Sequence, residues 1–173
     1  MKELEAALIL ADYISDIPDF PQKGVVFKDI SPLLRQKFPE TVERLYSLCS
    51  WDEVDVVVGI EARGFILGAA LAQRAAKGFV PIRKKGKLPP PFFSESYSLE
   101  YGEDTLEIKG NDTPLTAVLV DDVLATGGTF QAALKLCRKA NIQVDCTLVL
   151  IDLKFLHQDL ESPVPIHSLL PID

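Results

Sequence analysis

The residues best suited to chemistry follow an apolar segment in the second half of the chain. The sequence Val118-Leu119-Val120 leads directly into Asp121 and Asp122. Adjacent carboxylates repel each other, so the pair is costly unless hydrogen-bond donors surround it. The vicinal hydroxyls of a ribose would supply such donors, whereas a purely structural pair would cap a turn. We interpret the two aspartates as candidate ribose-binding residues.

A glycine-rich sequence follows the aspartates and opens a predicted helix. It consists of Ala125, Thr126, Gly127, Gly128 and Thr129. Glycine permits positive φ and a close approach of the backbone to a ligand, and the free amides of a helix N-terminus attract anions. Two hydroxyls add further donors. The whole segment therefore predicts a site for a ribose 5-phosphate, with the diol on the acids and the phosphate on the loop.

A second apolar strand is followed by Glu61, Ala62, Arg63 and Gly64. The spacing of Gly59 and Gly64 resembles the start of a P-loop, but Phe65 and Ile66 stand where that motif needs Lys and Ser or Thr, which disfavours a P-loop NTPase. Arg63 and the neighbouring amides can bind another anion. The alternative is a surface ion pair between Glu61 and Arg63.

A third cluster is basic and lies in an otherwise acidic protein. It contains Arg83, Lys84, Lys85 and Lys87. The cluster begins at a predicted strand end, where it could bind a polyphosphate, although charge runs are often solvated faces. It leads into an irregular stretch over about 84–114, and such a length is typical of a functional flap or a hairpin. Alternation over 97–102 and over 105–108 predicts the hairpin, on which Glu100 is a candidate acid or base.

Composition limits the class of protein. The chain has 173 residues, 47% hydrophobic and 25% charged, with a net charge of −7, which predicts one globular domain. An acidic surface argues against general nucleic-acid or membrane binding. Cys49, Cys137 and Cys146 match no metal motif and are predicted to be reduced packing thiols. His157 and His167 have no evident partner, and no signal sequence or membrane span is predicted. We expect a cytoplasmic protein.

Apolar strands alternate with helices along most of the chain. Strands are predicted over 25–30, 54–60, 79–82, 116–122 and 144–153, and helices over 4–15, 39–49, 64–77 and 129–140. Two prolines and a glycine predict irregular structure over 17–24. This pattern predicts an α/β fold with a central, mostly parallel sheet flanked by helices. Ligands of such sheets bind at the carboxyl ends of the strands, which brings the candidate residues to one edge.

Taken together, these segments resemble the type I phosphoribosyltransferases, and among them those that act on adenine. The string 118–129 resembles the motif with which that superfamily binds 5-phosphoribosyl pyrophosphate (PRPP). Narrower support comes from Ile17–Pro21, Gly24–Ile30, Gly59–Phe65, Arg83–Leu88, Ser96–Gly102 and Leu153–Leu156, which lie in the family's order.

The resemblance implies one domain over residues 1–173, with a small hood over about 1–35 and a flexible flap over about 84–114. It implies the salvage reaction in which adenine and PRPP give AMP and pyrophosphate. The implied cofactor is Mg²⁺, bound mainly through PRPP and water rather than by protein ligands. The implied partners are these four small molecules and a second copy in a homodimer, with no nucleic acid and no membrane.

The resemblance also implies a role for each matching residue. Asp121 and Asp122 would hold the ribose hydroxyls and residues 125–129 the 5′-phosphate. Arg63, with Gly64 and the Glu61–Ala62 turn, whose peptide bond is often cis in the family, would bind pyrophosphate. Arg83, Lys84 and Lys87 would reach it as the flap closes, some of them from the partner subunit.

For the base, the resemblance implies that Phe27 stacks on adenine while backbone groups of Val26 and Lys28 bind its edge. Glu100 would handle the proton of the purine, with Tyr101 beside it on the flap. Lys28 stands where the family usually has Arg, and Asp152 where it usually has Glu.

Two other functions fit parts of the sequence. One is a phosphoribosyltransferase for a 6-oxopurine, which would require a donor such as a lysine ammonium; Lys154 is the candidate after the loop helix. The other is a PRPP-sensing regulator without catalysis, which usually carries an additional nucleic-acid-binding segment. Backbone carbonyls of the hood would suit the 6-amino group of adenine, which is favoured by the resemblance.

Overall fold

The computed structural model describes residues 10–99 and 102–173, which fall into an N-terminal unit up to Arg44 and a larger unit from Leu45 onward. The strands are β1 (Ser15–Pro18), β2 (Val26–Asp29), β3 (Val56–Ile60), β4 (Gly78–Lys84), β5 (Phe93–Leu99), β6 (Gly102–Ile108), β7 (Leu115–Leu124), β8 (Ile142–Leu153) and β9 (Ile166–Ile172). The helices are α1 (Ser31–Gln36), α2 (Phe38–Tyr46), α3 (Arg63–Ala75) and α4 (Gly128–Lys139), and a 3₁₀ helix spans Lys154–Leu156. No helix among the described residues is both long and apolar enough to span a bilayer.

The N-terminal unit contains a hairpin in which β1 and β2 pair antiparallel. The predicted helix over 4–15 was wrong at its end, because Ser15 begins β1; residues 1–9 lie outside the described part. The predicted irregular structure was wrong for Ile17 and Pro18. A two-stranded sheet has only edge strands, where a proline without an N–H is tolerated. Pro18 accordingly stands opposite Val26 at the end of the pair.

The larger unit is built on a seven-stranded sheet in the order β5-β6-β4-β3-β7-β8-β9. The pairs β3–β4, β3–β7, β7–β8 and β8–β9 are parallel, and the two pairs that involve β6 are antiparallel. The predicted mostly parallel sheet is therefore confirmed. Strand β9 was not predicted, because most of its residues are only partly buried and Pro171 lies within it.

The core lies on both faces of the central strands. Successive residues Ala117–Val120 of β7 have no exposed surface, and Leu148–Ile151 of β8 are at most 2% exposed. Because side chains alternate between the faces of a strand, such runs require cover on each side. Apolar faces of α3 and α4 supply buried residues such as Leu67 and Leu136. Each buried leucine side chain contributes about 2 kcal/mol to folding.

The stretch after β4 forms a hairpin, as predicted, but Gly102 begins its second strand and does not end its first. Strands β5 and β6 pair from Phe93 opposite Ile108 to Leu99 opposite Gly102, and β6 joins the main sheet through Arg83 opposite Glu107. Ile108 is fully buried, so the base of the hairpin belongs to the core. Glu100 and Tyr101 lie outside the described residues.

Candidate active site

The sheet order brings two of the candidate motifs together. Strands β3 and β7 are parallel neighbours, with Gly59 opposite Val120, so Arg63 and the aspartates emerge at the same edge. Arg63 Nη2 lies 2.7 Å from Asp122 Oδ2. A Cβ atom at Gly64 would lie 2.8 Å from the Val120 carbonyl oxygen, so glycine is required where α3 begins against β7.

The two aspartates at the tip of β7 are in an unfavourable environment for charge. The Asp122 side chain is 8% exposed, and Asp121 is half-buried. Burial, followed by repulsion from Asp122, raises the pKa of Asp121 well above its usual value. Burial also raises the pKa of Asp122, although Arg63 opposes the shift. Hydroxyl donors or a cation at this tip would relieve the repulsion.

The predicted phosphate loop connects β7 to α4. Gly127 has φ +87° and precedes the first helical residue, Gly128. The first turn of α4 contains no acidic residue, so its amides and the positive end of the helix dipole are available to an anion. The loop lines a cavity of about 170 Å³. Its polar lining includes Asp121, Thr126, Thr129 and Thr147. The geometry suits a phosphate monoester next to the carboxylates.

Glu61, just after the end of β3, accepts hydrogen bonds from three residues of the basic cluster. Its carboxylate accepts hydrogen bonds from Arg83 Nε and the Lys84 amide, both at 2.9 Å, and from Lys87 Nζ at 2.6 Å. Burial would raise the pKa of Glu61, but these hydrogen bonds lower it to about 2. The Glu61–Ala62 peptide bond is cis. The alternative of a Glu61–Arg63 ion pair is wrong: Arg63 pairs with Asp122, while Glu61 binds cations from β4 and the following turn.

The Lys84 side chain points to a different group of residues. Its Nζ is bonded to Asp104 Oδ2 and lies 3.1 Å from the Tyr97 hydroxyl. Burial opposes the charge, but the bond to Asp104 outweighs it, and the pKa of Lys84 is raised. Of the basic-cluster side chains predicted to reach pyrophosphate, those of Arg83 and Lys87 thus share Glu61, while the Lys84 side chain is held by the hairpin.

The three predicted adenine residues lie on β2 of the N-terminal unit. Val26 is 50% exposed. The Phe27 ring makes an edge contact with Phe20 at a centroid distance of 5.2 Å. Lys28 Nζ lies 2.7 Å from Asp16 Oδ1 on the paired strand. The structure therefore places an aromatic pair and the two neighbouring backbone positions on one hairpin.

One polar pair near the loop was missed. His157 Nε2 lies 2.6 Å from Asp152 Oδ1, and both side chains are about a tenth exposed. The prediction that His157 has no partner was therefore wrong. The pair spans five residues across the 3₁₀ helix, a spacing that belongs neither to an α-helix nor to a strand. The available signal was a titratable residue just beyond the end of a buried strand.

Within the described ranges, no group of three or more His, Cys, Asp or Glu side chains is placed to hold a metal ion. The three cysteines are free thiols.

Known proteins resemble this chain in sequence and structure. A phosphoribosyl transferase domain family model matches residues 33–157. An adenine phosphoribosyltransferase from Hydrogenovibrio crunogenus is 45% identical over 168 residues, covering 95% of this chain and 96% of that protein. One from Streptomyces clavuligerus is 51% identical over 152 residues, covering 86% and 85%.

Solved structures agree with the sequence relatives. The adenine phosphoribosyltransferase of Rhodothermus marinus has a TM-score of 0.89 at 41% identity, covering 98% of this chain and 99% of that one. The Saccharomyces cerevisiae enzyme, solved with an imino-altritol bisphosphate and adenine, has a TM-score of 0.81 at 32% identity, covering 96% and 99%. The chain therefore belongs to the phosphoribosyltransferase family, and within it to the adenine phosphoribosyltransferases.

Proposed function

We propose that this protein transfers the 5-phosphoribosyl group from PRPP to adenine, giving AMP and pyrophosphate in purine salvage. One observation supports the proposal most strongly. The loop containing Gly127 and Gly128 follows Asp121 and Asp122 along the chain. Arg63 lies beside Asp122 at the same edge of the sheet. Relatives 45–51% identical over most of the chain bear the name of this activity.

The β7 edge suits the ribose and its phosphate. The carboxylates of Asp121 and Asp122 accept hydrogen bonds from the two ribose hydroxyls, which relieves their mutual repulsion. Amides and hydroxyls of residues 125–129 bind the 5′-phosphate. As pyrophosphate leaves, positive charge develops on the ribose ring. The fixed carboxylates stabilise that charge where it forms.

The pyrophosphate belongs beside Arg63, the Glu61–Ala62 turn and Gly64. Arg63 is oriented by Asp122 at 2.7 Å, and a guanidinium binds phosphoryl oxygens through paired donors. Arg83 and Lys87 lie within reach of this turn through Glu61. We propose that they, and Lys84 once it leaves Asp104, exchange carboxylate for pyrophosphate when substrate binds.

The residues at the β7 tip also fit Mg²⁺. This ion prefers oxygen ligands and retains several waters, and Asp121 and Asp122 are raised-pKa carboxylates that a cation would relieve. When bound, Mg²⁺ would neutralise charge on the leaving pyrophosphate. Asp121 and Asp122 would hold it indirectly, through its bound waters.

The remaining assignments follow the resemblance. Adenine stacks on Phe27, with backbone groups of Val26 and Lys28 at its edge. Glu100, with Tyr101 beside it on the flap, handles the purine proton. We further propose that the enzyme is a cytoplasmic homodimer and that flap residues act across it.

The decisive experiment is product formation with PRPP and Mg²⁺ in parallel reactions with adenine, hypoxanthine, guanine and xanthine, followed by chromatography. We expect AMP from adenine and no nucleotide from the other bases. The Asp121→Asn/Asp122→Asn variant should lose the activity, whereas Asp52→Asn, at an exposed turn, should retain it. A nucleotide from a 6-oxopurine would reassign the base. PRPP binding without product from any base would instead identify a sensor.

A further inference from the structure

The phosphate loop is covered by a segment that the proposed chemistry does not use, residues 157–161. A Cβ atom at Gly127 would lie 2.7 Å from Leu160 Cδ1, so the leucine side chain rests directly on the glycine. Gly127 also has φ +87°, a conformation that favours glycine, and it lines the cavity. Leu160 therefore restrains the loop backbone from outside.

Residues on both sides of Leu160 form hydrogen bonds that connect them to the strands and the helix flanking the loop. His157 Nε2 lies 2.6 Å from Asp152 Oδ1, and Asp152 is the register partner of Leu124, the last residue of β7. The Leu160 amide donates to the His157 carbonyl at 2.9 Å. Beyond Leu160, Gln131 Nε2 of α4 donates to the Glu161 carbonyl at 2.7 Å. The segment thus connects the end of β7 to the first turns of α4.

We propose that Asp152 and His157 are positioning residues for the 5′-phosphate subsite. Their hydrogen bond fixes the 157–161 segment, which seats Leu160 on Gly127 and holds the loop amides in the orientation that binds phosphate. The inference rests on the proposed assignment of residues 125–129 to the 5′-phosphate. The two residues act through Leu160 and the loop.

The kinetic signature follows from where the 5′-phosphate lies in the substrate. It takes no part in bond making or breaking, so its contacts are similar in the ground state and in the transition state. Loss of such contacts raises KM while kcat is retained. Without the His157 partner, the buried Asp152 carboxylate must find water, and the segment that depends on it loosens. We therefore expect a defect specific to PRPP and AMP.

The test compares His157→Ala, His157→Gln and His167→Ala in the full-length enzyme. Glutamine carries an amide nitrogen at nearly the reach of histidine Nε2, so it can restore the bond to Asp152. His167, on β9 opposite Leu148, supplies the matched control. We expect His157→Ala to raise the KM for PRPP and the Kd for AMP about tenfold. The kcat and the KM for adenine should stay within about twofold.

The glutamine variant should recover most of the PRPP affinity, and His167→Ala should equal the parent. A fall in kcat at unchanged PRPP KM would overturn the positioning role, and so would unchanged kinetics throughout. If His157→Ala does not fold, Leu160→Ala removes the contact with Gly127 and leaves the buried pair intact; it must show the same PRPP-specific defect. A parent enzyme that forms no nucleotide would refute the proposed function, whereas an active parent with unaltered variants refutes this inference alone.

Discussion

The guanidinium of Arg63 lies 2.7 Å from the carboxylate of Asp122, and this ion pair joins the start of α3 to the tip of β7. The Asp122 side chain is 8% exposed and that of Arg63 is 30% exposed. The pair therefore holds together two motifs that are far apart in the sequence. Asp122 fixes the direction of the guanidinium, and Arg63 limits the cost of a buried carboxylate.

Removal of Arg63 should affect binding and stability together. Arg63→Ala leaves Asp122 buried without its cation, so unfolding by urea should show a loss of about 2 kcal/mol or more. In the double variant with Asp122→Asn, that loss should be partly recovered, with a coupling energy of about 1–3 kcal/mol. Arg63→Lys keeps the charge but not the paired donors, and its PRPP KM should lie between parent and alanine. Additive losses in the double variant would contradict the coupling.

We predict that the charge of Asp121 lowers the stability of the folded protein although the reaction requires it. Its pKa is raised by burial and by Asp122, so the folded state favours the protonated form. Ionisation therefore costs stability above the ordinary pKa of an aspartate. Asp121→Asn should raise the free energy of unfolding at pH 7 by roughly 1 kcal/mol, and the gain should vanish below about pH 4.

The same variant should lose most of its activity, because a neutral amide cannot stabilise the positive charge that develops on the ribose ring. Asp52→Asn, measured alongside, should alter neither property. A lower free energy of unfolding for Asp121→Asn than for the parent at neutral pH would show that the ionised Asp121 carboxylate does not destabilise the fold.

The parts of the fold that follow from local pattern were predictable. Apolar runs such as Ala117–Val120 correctly indicated buried parallel strands, whereas the anion site at their carboxyl ends stays a prediction. Partners that depend on sheet order were not. The sequence offered Glu61 as the alternative partner of Arg63, but the guanidinium pairs with Asp122 on the neighbouring strand. The nearest charged residue in the sequence therefore did not identify the ion-pair partner, because Glu61 and Arg63 bind partners on different strands.

The two missed strands have a related cause. Strand β1 contains Pro18, and β9 contains Pro171 and is only partly buried. Edge strands need neither continuous apolar residues nor every backbone N–H. His157 was missed for a different reason, because the 3₁₀ helix, and no periodic pattern, brings it to Asp152.

Glu61 should contribute to stability only above acidic pH. Its folded-state pKa of about 2 is below the unfolded value of about 4.3. Its stabilising effect is therefore complete above about pH 4.5 and is lost as pH falls toward 2. Glu61→Gln should cost on the order of 1 kcal/mol at pH 7, since Lys87 is half exposed and solvent weakens that contact. The difference between variant and parent should shrink below about pH 4.5 and close only as pH approaches 2.

Glu40 supplies the matched control for that experiment. It pairs with Arg44 on α2 at 2.8 Å, but its side chain is 36% exposed. Glu40→Gln should therefore change the unfolding midpoint in urea very little at any pH. Unfolding free energies of Glu61→Gln and the parent that run parallel from pH 7 to pH 3 would show that Glu61 does not anchor the basic cluster.

The three cysteines should differ sharply in reactivity. A hydrogen bond from Cys146 lowers the pKa of the half-buried Cys49, whereas burial raises the pKa of Cys137 to about 12. Cys146 is buried, and its contact with Cys49 raises its pKa. Because the thiolate is the reactive species, DTNB at pH 8 should modify one thiol rapidly in the native protein and all three in guanidinium chloride. Cys49→Ser should abolish the rapid phase and Cys137→Ser should preserve it; a rapid phase that survives Cys49→Ser would assign the reactive thiol elsewhere.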